Sequence, residues 1–329
     1  MTYELDPEQP LDAEVRRIAT ELIDHAVAQI DGTKTAPHEA VHQDVHHEAV
    51  HEVRKDCKKL RGLLRLVRPA VPKLYTHENA AFRDAAASLS VLRDAEAAIE
   101  TFDALIDHFR DNIDADSLAP LRQRLEDHKA KVAAGAQALD EQLEGARMAL
   151  VAARERVPGW ELPSEVTDRA DDPADDAGWS LIGPGLRKTY KRGRQAMQAA
   201  YAQPSVATFH EWRKRAKYLR YQVRLLRASW PRVLKATYKE TKQLGDLLGD
   251  DHDLAVLEQV IEEAEELSPT HDAEQILLAL AAQRSEQLRD AAYWLGSRLY
   301  AEKPKHLDRR LQCYWQVARG SDAKLPARP

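Results

Sequence analysis

HEWRKRAKYLRY, residues 210–221, is the stretch from which the fold of this chain can be worked out. It holds one histidine and five lysines or arginines, although the chain of 329 residues carries a formal net charge of -6. A related stretch, HEVRKDCKKLRG, lies at 51–62. In both stretches apolar residues recur at helical spacing between the charges. Each stretch therefore predicts a helix with a basic stripe along one side.

The two stretches belong to an internal repeat whose copies are 159 residues apart. Ten of the eighteen positions in 51–68 are identical in 210–227, without a gap. The same offset pairs Pro72 with Pro231 and Asp94 with Asp253. One unbroken offset over more than forty residues indicates duplication of a helical unit. We therefore predict two pseudo-symmetric helical bundles.

The composition favours an all-α protein, because there are only 13 glycines and hydrophobic residues make up 43% of the chain. Periodicity predicts helices near 11–31, 38–68, 73–111, 115–156, 181–202, 205–228, 232–266, 271–300 and 304–318. Trp212, Trp230, Trp294 and Trp315 fall within apolar helical patterns and are predicted to lie in the core. Cys57 is predicted to be a small core residue as well.

Nothing in the sequence predicts membrane insertion or export. No apolar run approaches the ~18 residues of a membrane span. The first residues, MTYELDPEQP, lack the pattern of a signal peptide. Cys57 and Cys313 form no disulfide framework or metal pattern, so a cytoplasmic location is expected.

An acidic segment divides the chain. Residues 161–178, ELPSEVTDRADDPADDAG, contain seven acids and one arginine, and such a run cannot bury apolar surface. We predict a first helical half at 1–160, a solvated linker at 161–178, a second helical half at 179–319 and a disordered tail at 320–329.

Basic residues in both copies are spaced by 3, 4, 3, 4 and 3 positions. The first set is His51, Arg54, Lys58, Arg61, Arg65 and Arg68, and the second is His210, Arg213, Lys217, Arg220, Arg224 and Arg227. Residues so spaced line one face of a helix over about 25 Å. Neighbouring cations on such a face repel one another, so something must neutralise them. Internal carboxylates are one candidate. A polyanion with repeating charge is the other, because the arginine fork can bind two phosphate oxygens.

A third basic cluster, GLRKTYKRGRQAM at 185–197, opens the second half. Arg187, Lys191 and Arg194 fall on one helical face. A solvated surface is the alternative interpretation of these three residues.

These motifs together resemble the CHAD family, the conserved-histidine α-helical domain. The resemblance rests on HxxRKxxKxxR at 51–61 and its copy HxxRKxxKxxRY at 210–221. It also rests on GLRKTYKRGR at 185–194, LGDLLGDDHD at 244–253 and LGSRLYAEKP at 295–304. It spans about residues 11–318, and the ordered set is more specific than any one motif.

The resemblance implies two bundles around a central basic groove or pore that binds inorganic polyphosphate, with association to polyphosphate granules. The predicted polyphosphate-binding residues are His51, Arg54, Lys55, Lys58, Arg61, Arg65, Arg68, Arg187, Lys191, Arg194, His210, Arg213, Lys214, Lys217, Arg220, Tyr221, Arg224 and Arg227. Some family members carry a triphosphate-tunnel domain with a Glu-x-Glu-x-Lys signature, which is missing here. A binding domain without a cofactor, rather than an enzyme, is therefore predicted. Gly62 stands where the second copy has Tyr221, so the two copies need not bind equally.

Two other functions remain open from the sequence. His252 and Asp253 resemble the His-Asp pair of a metal-dependent phosphohydrolase, although further spaced ligands cannot be assembled. Asp253, like Asp94, is instead predicted to orient a stripe arginine or histidine. A single-stranded nucleic-acid binder would need exposed aromatic side chains for base stacking, for which Tyr218 and Tyr221 leave some room.

The histidine-rich segment APHEAVHQDVHHEAVH, at 36–51, contains pairs four residues apart that could share a metal ion. A solvated, pH-sensitive start of a helix is the preferred interpretation, and no metal site is predicted.

Overall fold

The structure is a computed structural model that describes residues 2–34, 39–89, 91–133, 137–163, 177–263 and 271–320. Within those ranges every regular element is helical. The α-helices are α1 (Leu11–Thr33), α2 (Glu39–Val67), α3 (Pro72–Ala87), α4 (Val91–Phe109), α5 (Ala119–Ala133), α6 (Gln137–Arg156), α7 (Ala177–Ala202), α8 (Val206–Leu225), α9 (Pro231–Glu263), α10 (His271–Leu299) and α11 (Pro304–Arg319). The all-α prediction is confirmed. No helix in the described part of the chain is both long and apolar enough to cross a lipid bilayer.

The helix predicted at 73–111 is in fact two helices, α3 and α4. Ser88 follows the last residue of α3, and its hydroxyl donates a hydrogen bond to the carbonyl of Ala85. A serine side chain that bonds the preceding turn competes with continuation of the helix. The helix predicted at 115–156 is likewise a 3₁₀ turn, Ala115–Leu118, followed by α5 and α6.

One large core joins the two halves of the chain. It contains buried side chains of α1, α2, α3 and α6 together with those of α7, α8 and α11. Trp212 and Trp315 are fully buried in it, and Cys57 is buried as predicted. A Cβ at Gly185 would fall 1.8 Å from the carbonyl oxygen of Leu66, so only glycine lets α7 lie directly on α2. As a result α2, α7 and α8 pack against one another.

A smaller core lies beside the large one. Helices α4 and α5 pack there against α9 and α10. Phe102 and Leu105 of α4 contribute to it, as do Leu257 of α9 and Leu277 of α10. A helical pair of the first half is therefore stabilised by helices of the second half.

Helices α2 and α8 cross at Gly62 and Tyr221, which are equivalent positions of the repeat. A Cβ at Gly62 would lie 3.0 Å from Cβ of Tyr221. The Arg65 guanidinium, three residues after Gly62, lies 3.8 Å from the ring centre of Tyr218, three residues before Tyr221. The two helices therefore run in opposite directions across the contact. Antiparallel packing at equivalent positions is what a two-fold axis between two halves would produce. The duplication of whole halves stays a prediction from the repeat.

The prediction that four tryptophans lie in the core is wrong for two of them. Trp212 and Trp315 are buried, but Trp294 is 66% exposed and Trp230 is 45% exposed. Leu295, the next residue of α10, is buried. Neighbouring residues of a helix lie about 100° apart round its axis, so Trp294 points away from the core. An apolar helical pattern does not show which of two neighbouring large residues faces the core.

The predicted division into two halves also stays a prediction. Residues 164–176 of the acidic linker and 321–329 of the tail lie outside the described residues. The large core combines side chains from both sides of that linker.

Candidate anion-binding site

Helix α8 carries the second basic stripe and begins at a capping box. The Ser205 hydroxyl accepts a hydrogen bond from the backbone N–H of Thr208, and the Thr208 hydroxyl accepts one from the backbone N–H of Ser205. These bonds fix the start of the helix. An apolar face that includes Trp212 and Leu219 is buried. The stripe lies beside that face, so the Arg213 side chain is only 17% exposed.

Helix α9 supplies the carboxylates nearest Arg213 and Arg220 of this stripe. Arg213 Nη2 is 3.5 Å from Asp253 Oδ1, and Arg220 Nη1 is 3.7 Å from Asp246 Oδ1. Both distances exceed the roughly 2.7–2.9 Å of a charge-assisted hydrogen bond. The Nε atoms of both arginines are buried without a hydrogen-bond partner among the described residues. The acids of α9 therefore neutralise the stripe only in part.

Two glycines of α9 make room for stripe side chains. A Cβ at Gly249 would lie 3.7 Å from Arg213 Nη2, and a Cβ at Gly245 would lie 3.9 Å from Lys217 Cγ. Because these positions carry no side chain, two long cationic side chains can lie across α9.

Lys217 is the cation most affected by its surroundings. Burial lowers its pKa to about 7, with contributions from the charges of Arg213, Lys58 and Arg220 and an opposing one from Asp253. Lys58 belongs to α2, so cations of both stripes converge at this point. Any anion that binds here would favour the charged form of Lys217.

The histidines at the heads of the two stripes differ. His210 Nδ1 lies 3.3 Å from His252 Nδ1. Burial and the charges of Lys214 and Arg213 lower the pKa of His210, while burial and the charge of Arg213 lower that of His252 to about 4. Both rings are therefore neutral at pH 7 and act there as hydrogen-bonding groups. The His51 side chain is 48% exposed.

The first stripe, on α2, is held by polar groups of α3. Asn79 Oδ1 accepts hydrogen bonds from Arg65 Nη1 at 2.9 Å and from Arg61 Nε at 3.4 Å. Arg54 Nη1 donates to the carbonyl of Ala86 at 3.4 Å. Neutral oxygen atoms of Asn79 and Ala86 therefore help to orient these three arginines.

The comparisons with known proteins identify the family and support the fold. A family model described as the CHAD domain matches residues 17–262, well over half of the chain. The chain belongs to the CHAD domain family. Its structure is similar to a crystal structure of the CHAD domain from the plant Ricinus communis, with a TM-score of 0.53 and 20% sequence identity. That similarity covers 88% of this chain and 93% of the plant chain, and it supports the fold alone. The comparison with curated proteins gave no match.

Two residues of this CHAD domain that the sequence analysis missed occupy equivalent places in the repeat. Asn79 contacts two arginines of the first stripe. Tyr238, which is 159 residues later, has the guanidinium carbons of Arg220 and Arg224 at 6.0 and 5.8 Å from its ring centre. The repeat offset is the signal that could have pointed to both positions.

Four of the predicted residues lie at the margins of the site in this CHAD domain. Lys55 and Lys214 each pair with the glutamate three residues earlier, at 2.6 and 2.5 Å. Arg227 pairs with Glu4. Tyr221 is buried at the crossing of α2 and α8. On the α8 side, Lys214 and Arg227 thus lie closer to their carboxylates than Arg213 and Arg220 do.

The third basic cluster lies against α11. Arg187 Nη1 is 3.2 Å from Asp308 Oδ2, and Arg194 Nη1 donates to the carbonyl of Glu302 at 3.2 Å. Lys191 is exposed on the same helix. The structure therefore brings Arg187 to α11 and Arg194 to the segment just before it, and neither to the stripes of α2 and α8.

The proposed phosphohydrolase pair is engaged with the second stripe. His252 contacts His210, and Asp253 contacts Arg213. Among the side chains that the structure describes, no group of three or more His, Cys, Asp or Glu residues is placed to hold a metal ion. Asp253 lies beside a stripe arginine, which is the position predicted for an orienting carboxylate.

The histidine-rich segment is only partly described. His46 is buried, and its Nε2 lies 2.9 Å from Asp140 Oδ1, so this position is not a solvated one. The side chains of His38, His42 and His47 lie outside the described residues.

Proposed function

We propose that this CHAD domain binds inorganic polyphosphate, without chemical turnover, where the stripes of α2 and α8 converge. The observation that carries the proposal is the crowding of cations around Lys217, whose pKa is lowered to about 7. A polyanion relieves such crowding, because its phosphates bring negative charge close to several cations at once. The proposed contacts are Arg54, Lys58, Arg61, Arg65, Arg213, Lys217, Arg220 and Arg224, with His51 and His210 at the heads of the stripes.

Internal salt bridges are a weaker explanation for the stripes. Asp253 lies 3.5 Å from Arg213, and Asp246 lies 3.7 Å from Arg220. The side chains of these two aspartates are 40% and 47% exposed. Because these carboxylates remain partly in water, solvent weakens their attraction to the arginines. They do not account for a row of partly buried cations, whereas an added polyanion would.

Polyphosphate fits the stripes better than single-stranded nucleic acid does. Arg65 lies 3.8 Å above the ring of Tyr218, and Arg68 lies 4.5 Å above that of Tyr75. Tyr221 is buried. Base stacking needs uncovered aromatic rings beside the basic groove, and these rings are covered. A polyphosphate chain needs only the cations.

Binding is favoured over hydrolysis by the contacts of the histidine–aspartate pair. His252 has a pKa of about 4 and contacts His210, while Asp253 contacts Arg213. Both residues thus support the stripe. Phosphate release from polyphosphate in the presence of Mg²⁺ or Mn²⁺, lost on Asp253→Asn, would contradict binding without turnover.

A triple variant tests the proposal. Replacing Arg213, Lys217 and Arg220 with glutamine removes three cations from the convergence point. The affinity for fluorescently labelled long polyphosphate should fall about a hundredfold or more, since each charge-assisted contact contributes roughly 1.5–3 kcal/mol. Equilibrium titration measures the effect, and thermal unfolding checks that the variant is folded.

The matched control replaces Arg298, Lys305 and Arg309, which are exposed and carry the same total charge. Its affinity should stay within about threefold of the wild-type value, because isolated surface charges act weakly at physiological salt. Equal losses in both variants would mean that binding follows net charge and not the stripes.

Such a site would retain the protein on polyphosphate granules in the cytoplasm, which we also propose. Binding along a chain multiplies contacts, so a long polymer holds the domain more firmly than a short one. The triple variant is the control for localisation on granules, because it should bind polyphosphate weakly and so be lost from them.

A further inference from the structure

The segment before α1 forms a strap across the crossing of α2 and α8. The strap consists of residues 3–6 and contains the buried side chains of Tyr3 and Leu5. The backbone N–H of Leu5 donates a hydrogen bond to the carbonyl of Leu225 at 2.8 Å, and the Tyr3 hydroxyl donates one to the carbonyl of Lys59 at 2.9 Å. The strap is therefore bonded to the backbone of both helices.

Helix α1 also holds the strap. Arg17 Nη2 donates a hydrogen bond to the carbonyl of Glu4 at 2.9 Å, and the backbone N–H of Asp6 donates one to Glu14 Oε2 at 2.8 Å. Arg17 Nε in turn pairs with Glu14 at 2.6 Å. None of these bonds involves the carboxylate of Glu4, so removing the charge of that side chain should leave the strap in place.

The carboxylate of Glu4 pairs with Arg227, the last cation of the second stripe. The Glu4 side chain is only 14% exposed, whereas the aspartates that face Arg213 and Arg220 are about three times as exposed. Water screens a shielded carboxylate less than an exposed one, so Glu4 opposes the charge of its arginine more effectively. The second stripe therefore ends at a cation that the chain itself neutralises.

Tyr3 places the strap beside the preceding cation of the stripe as well. Burial and the neighbouring Tyr221 raise the pKa of Tyr3 well above its ordinary value, while the charge of Arg224 opposes that rise. The hydroxyl is therefore neutral at pH 7 and brings no negative charge to Arg224. The strap thus sets a neutral group beside Arg224 and an acid on Arg227.

The equivalent end of the first stripe is different. Arg68 is the repeat counterpart of Arg227. Its guanidinium carbon lies 4.5 Å from the centre of the Tyr75 ring, and no carboxylate in the described part of the chain lies within ion-pair distance of it. The charge of Arg68, burial and the charge of Arg192 lower the pKa of Lys188. One stripe therefore ends at an acid, and the other ends beside a further cation.

We propose that Glu4 is a specificity-determining residue that limits polyphosphate on the second stripe to the cations before Arg227. This inference rests on the proposed function and concerns how far the polymer extends along that site. A phosphate would have to displace a shielded carboxylate in order to reach Arg227. The bonds of the strap to three helices keep that carboxylate nearby, and like charges held close together repel.

Glu4→Gln tests the proposal, because it uncovers Arg227. Labelled long polyphosphate is titrated into the full chain at several salt concentrations. One additional phosphate contact should make the log–log slope of affinity against salt steeper by about 0.7, by analogy with single strands. The affinity at low salt should rise about tenfold, because a charge-assisted contact is added.

Glu8→Gln is the matched control. Glu8 is exposed shortly after the strap, and its substitution changes the net charge by the same amount. This variant should keep the wild-type slope, with an affinity within about threefold of the wild-type value. In the double variant Glu4→Gln with Arg227→Gln the slope should return to the wild-type value, because the uncovered cation is removed.

Arg227→Gln alone tests the proposal without a change in the strap. It should keep the wild-type slope, because no phosphate reaches Arg227 while Glu4 occupies it. Thermal unfolding checks that each variant is folded.

The outcomes separate the role of Glu4 from the site itself. Equal slopes for the wild type, Glu4→Gln and Glu8→Gln would overturn the role of Glu4 and leave the proposed function standing. A shallower slope for Arg227→Gln alone would overturn it too, since the polymer would then reach that residue in the wild type. Binding by Glu4→Gln and not by the wild type would support it. Absence of polyphosphate binding in both would overturn the proposed function, and the role of Glu4 with it.

Discussion

The pKa of one residue, Lys217, is lowered by burial and by the neighbouring cations of both stripes. Its spacing in the stripe is the same as that of its neighbours, so the sequence predicts a cation there but does not distinguish it from the others. The low pKa arises from burial, from Arg213 on the same helix and from Lys58 across the crossing. Only the packing of α2 against α8 brings Lys58 close. The residue types of the site could therefore be predicted, and their unequal electrostatics could not.

Lys217 should make polyphosphate binding depend on pH. Its pKa is about 7 in the free protein, and a bound polyanion raises that pKa because it favours the ammonium form. Above pH 7 the free protein must then take up a proton in order to bind. The affinity should fall by up to about tenfold per pH unit above pH 7, until the pKa of the complex is reached. Titration of labelled polyphosphate between pH 7 and 9 measures this slope.

The control for this pH dependence is Lys217→Arg. Arginine stays charged throughout that range, so its slope should be nearly flat. His210 and His252 do not interfere, because both have lowered pKa values and are neutral above pH 7. A wild-type affinity that does not change from pH 7 to 9 would contradict proton uptake by Lys217 on binding.

At the scale of one element, α7 depends on a single glycine. Gly185→Ala would place a Cβ 1.8 Å from the backbone oxygen of Leu66, which cannot rotate away. We expect a loss of about 3 kcal/mol in the free energy of unfolding, since overpacking of this kind forces the backbone to shift. Chemical denaturation measures the difference.

Gly145→Ala on α6 is the matched control for Gly185→Ala. No atom outside the local helix lies within 4 Å of the added methyl group. This variant should be more stable by about 0.5–1 kcal/mol, because alanine loses less conformational freedom than glycine in a helix. If both variants unfold at the same denaturant concentration, α7 does not lie on α2 as described.

The sequence did not show which basic face of α7 packs against α2. Arg187, Lys191 and Arg194 share one face by spacing, and the sequence analysis predicted binding residues on that face only. Lys188 and Arg192 lie three and seven positions after Gly185, on the side that packs against α2. Both rows obey the same helical period, so the period alone cannot choose between them. The glycine was the available signal, because it indicates which side of α7 approaches another backbone.

At the scale of the whole molecule, the sequence predicted the helices well and their partners less well. The repeat identified α2 and α8 as equivalent helices, and the structure shows that they cross where Gly62 meets Tyr221. It gave no warning that α4 and α5 pack on α9 and α10, or that one large core spans both halves. An apolar face in the sequence predicts that one side of a helix is buried. It does not predict which other helix covers that side. Long-range packing therefore had to come from the structure.

The central claim is that both stripes together recognise polyphosphate. A competition titration tests it most directly, with labelled long polyphosphate displaced by short polyphosphate, single-stranded RNA or triphosphate at equal phosphate concentration. The account predicts that polyphosphate competes more strongly than RNA, and that the Arg213, Lys217 and Arg220 triple variant hardly binds. It also predicts a steep loss of affinity with salt, at a log–log slope of about -0.7 for each phosphate contact by analogy with single strands. Equal displacement by RNA, or wild-type binding that salt does not weaken, would contradict the account.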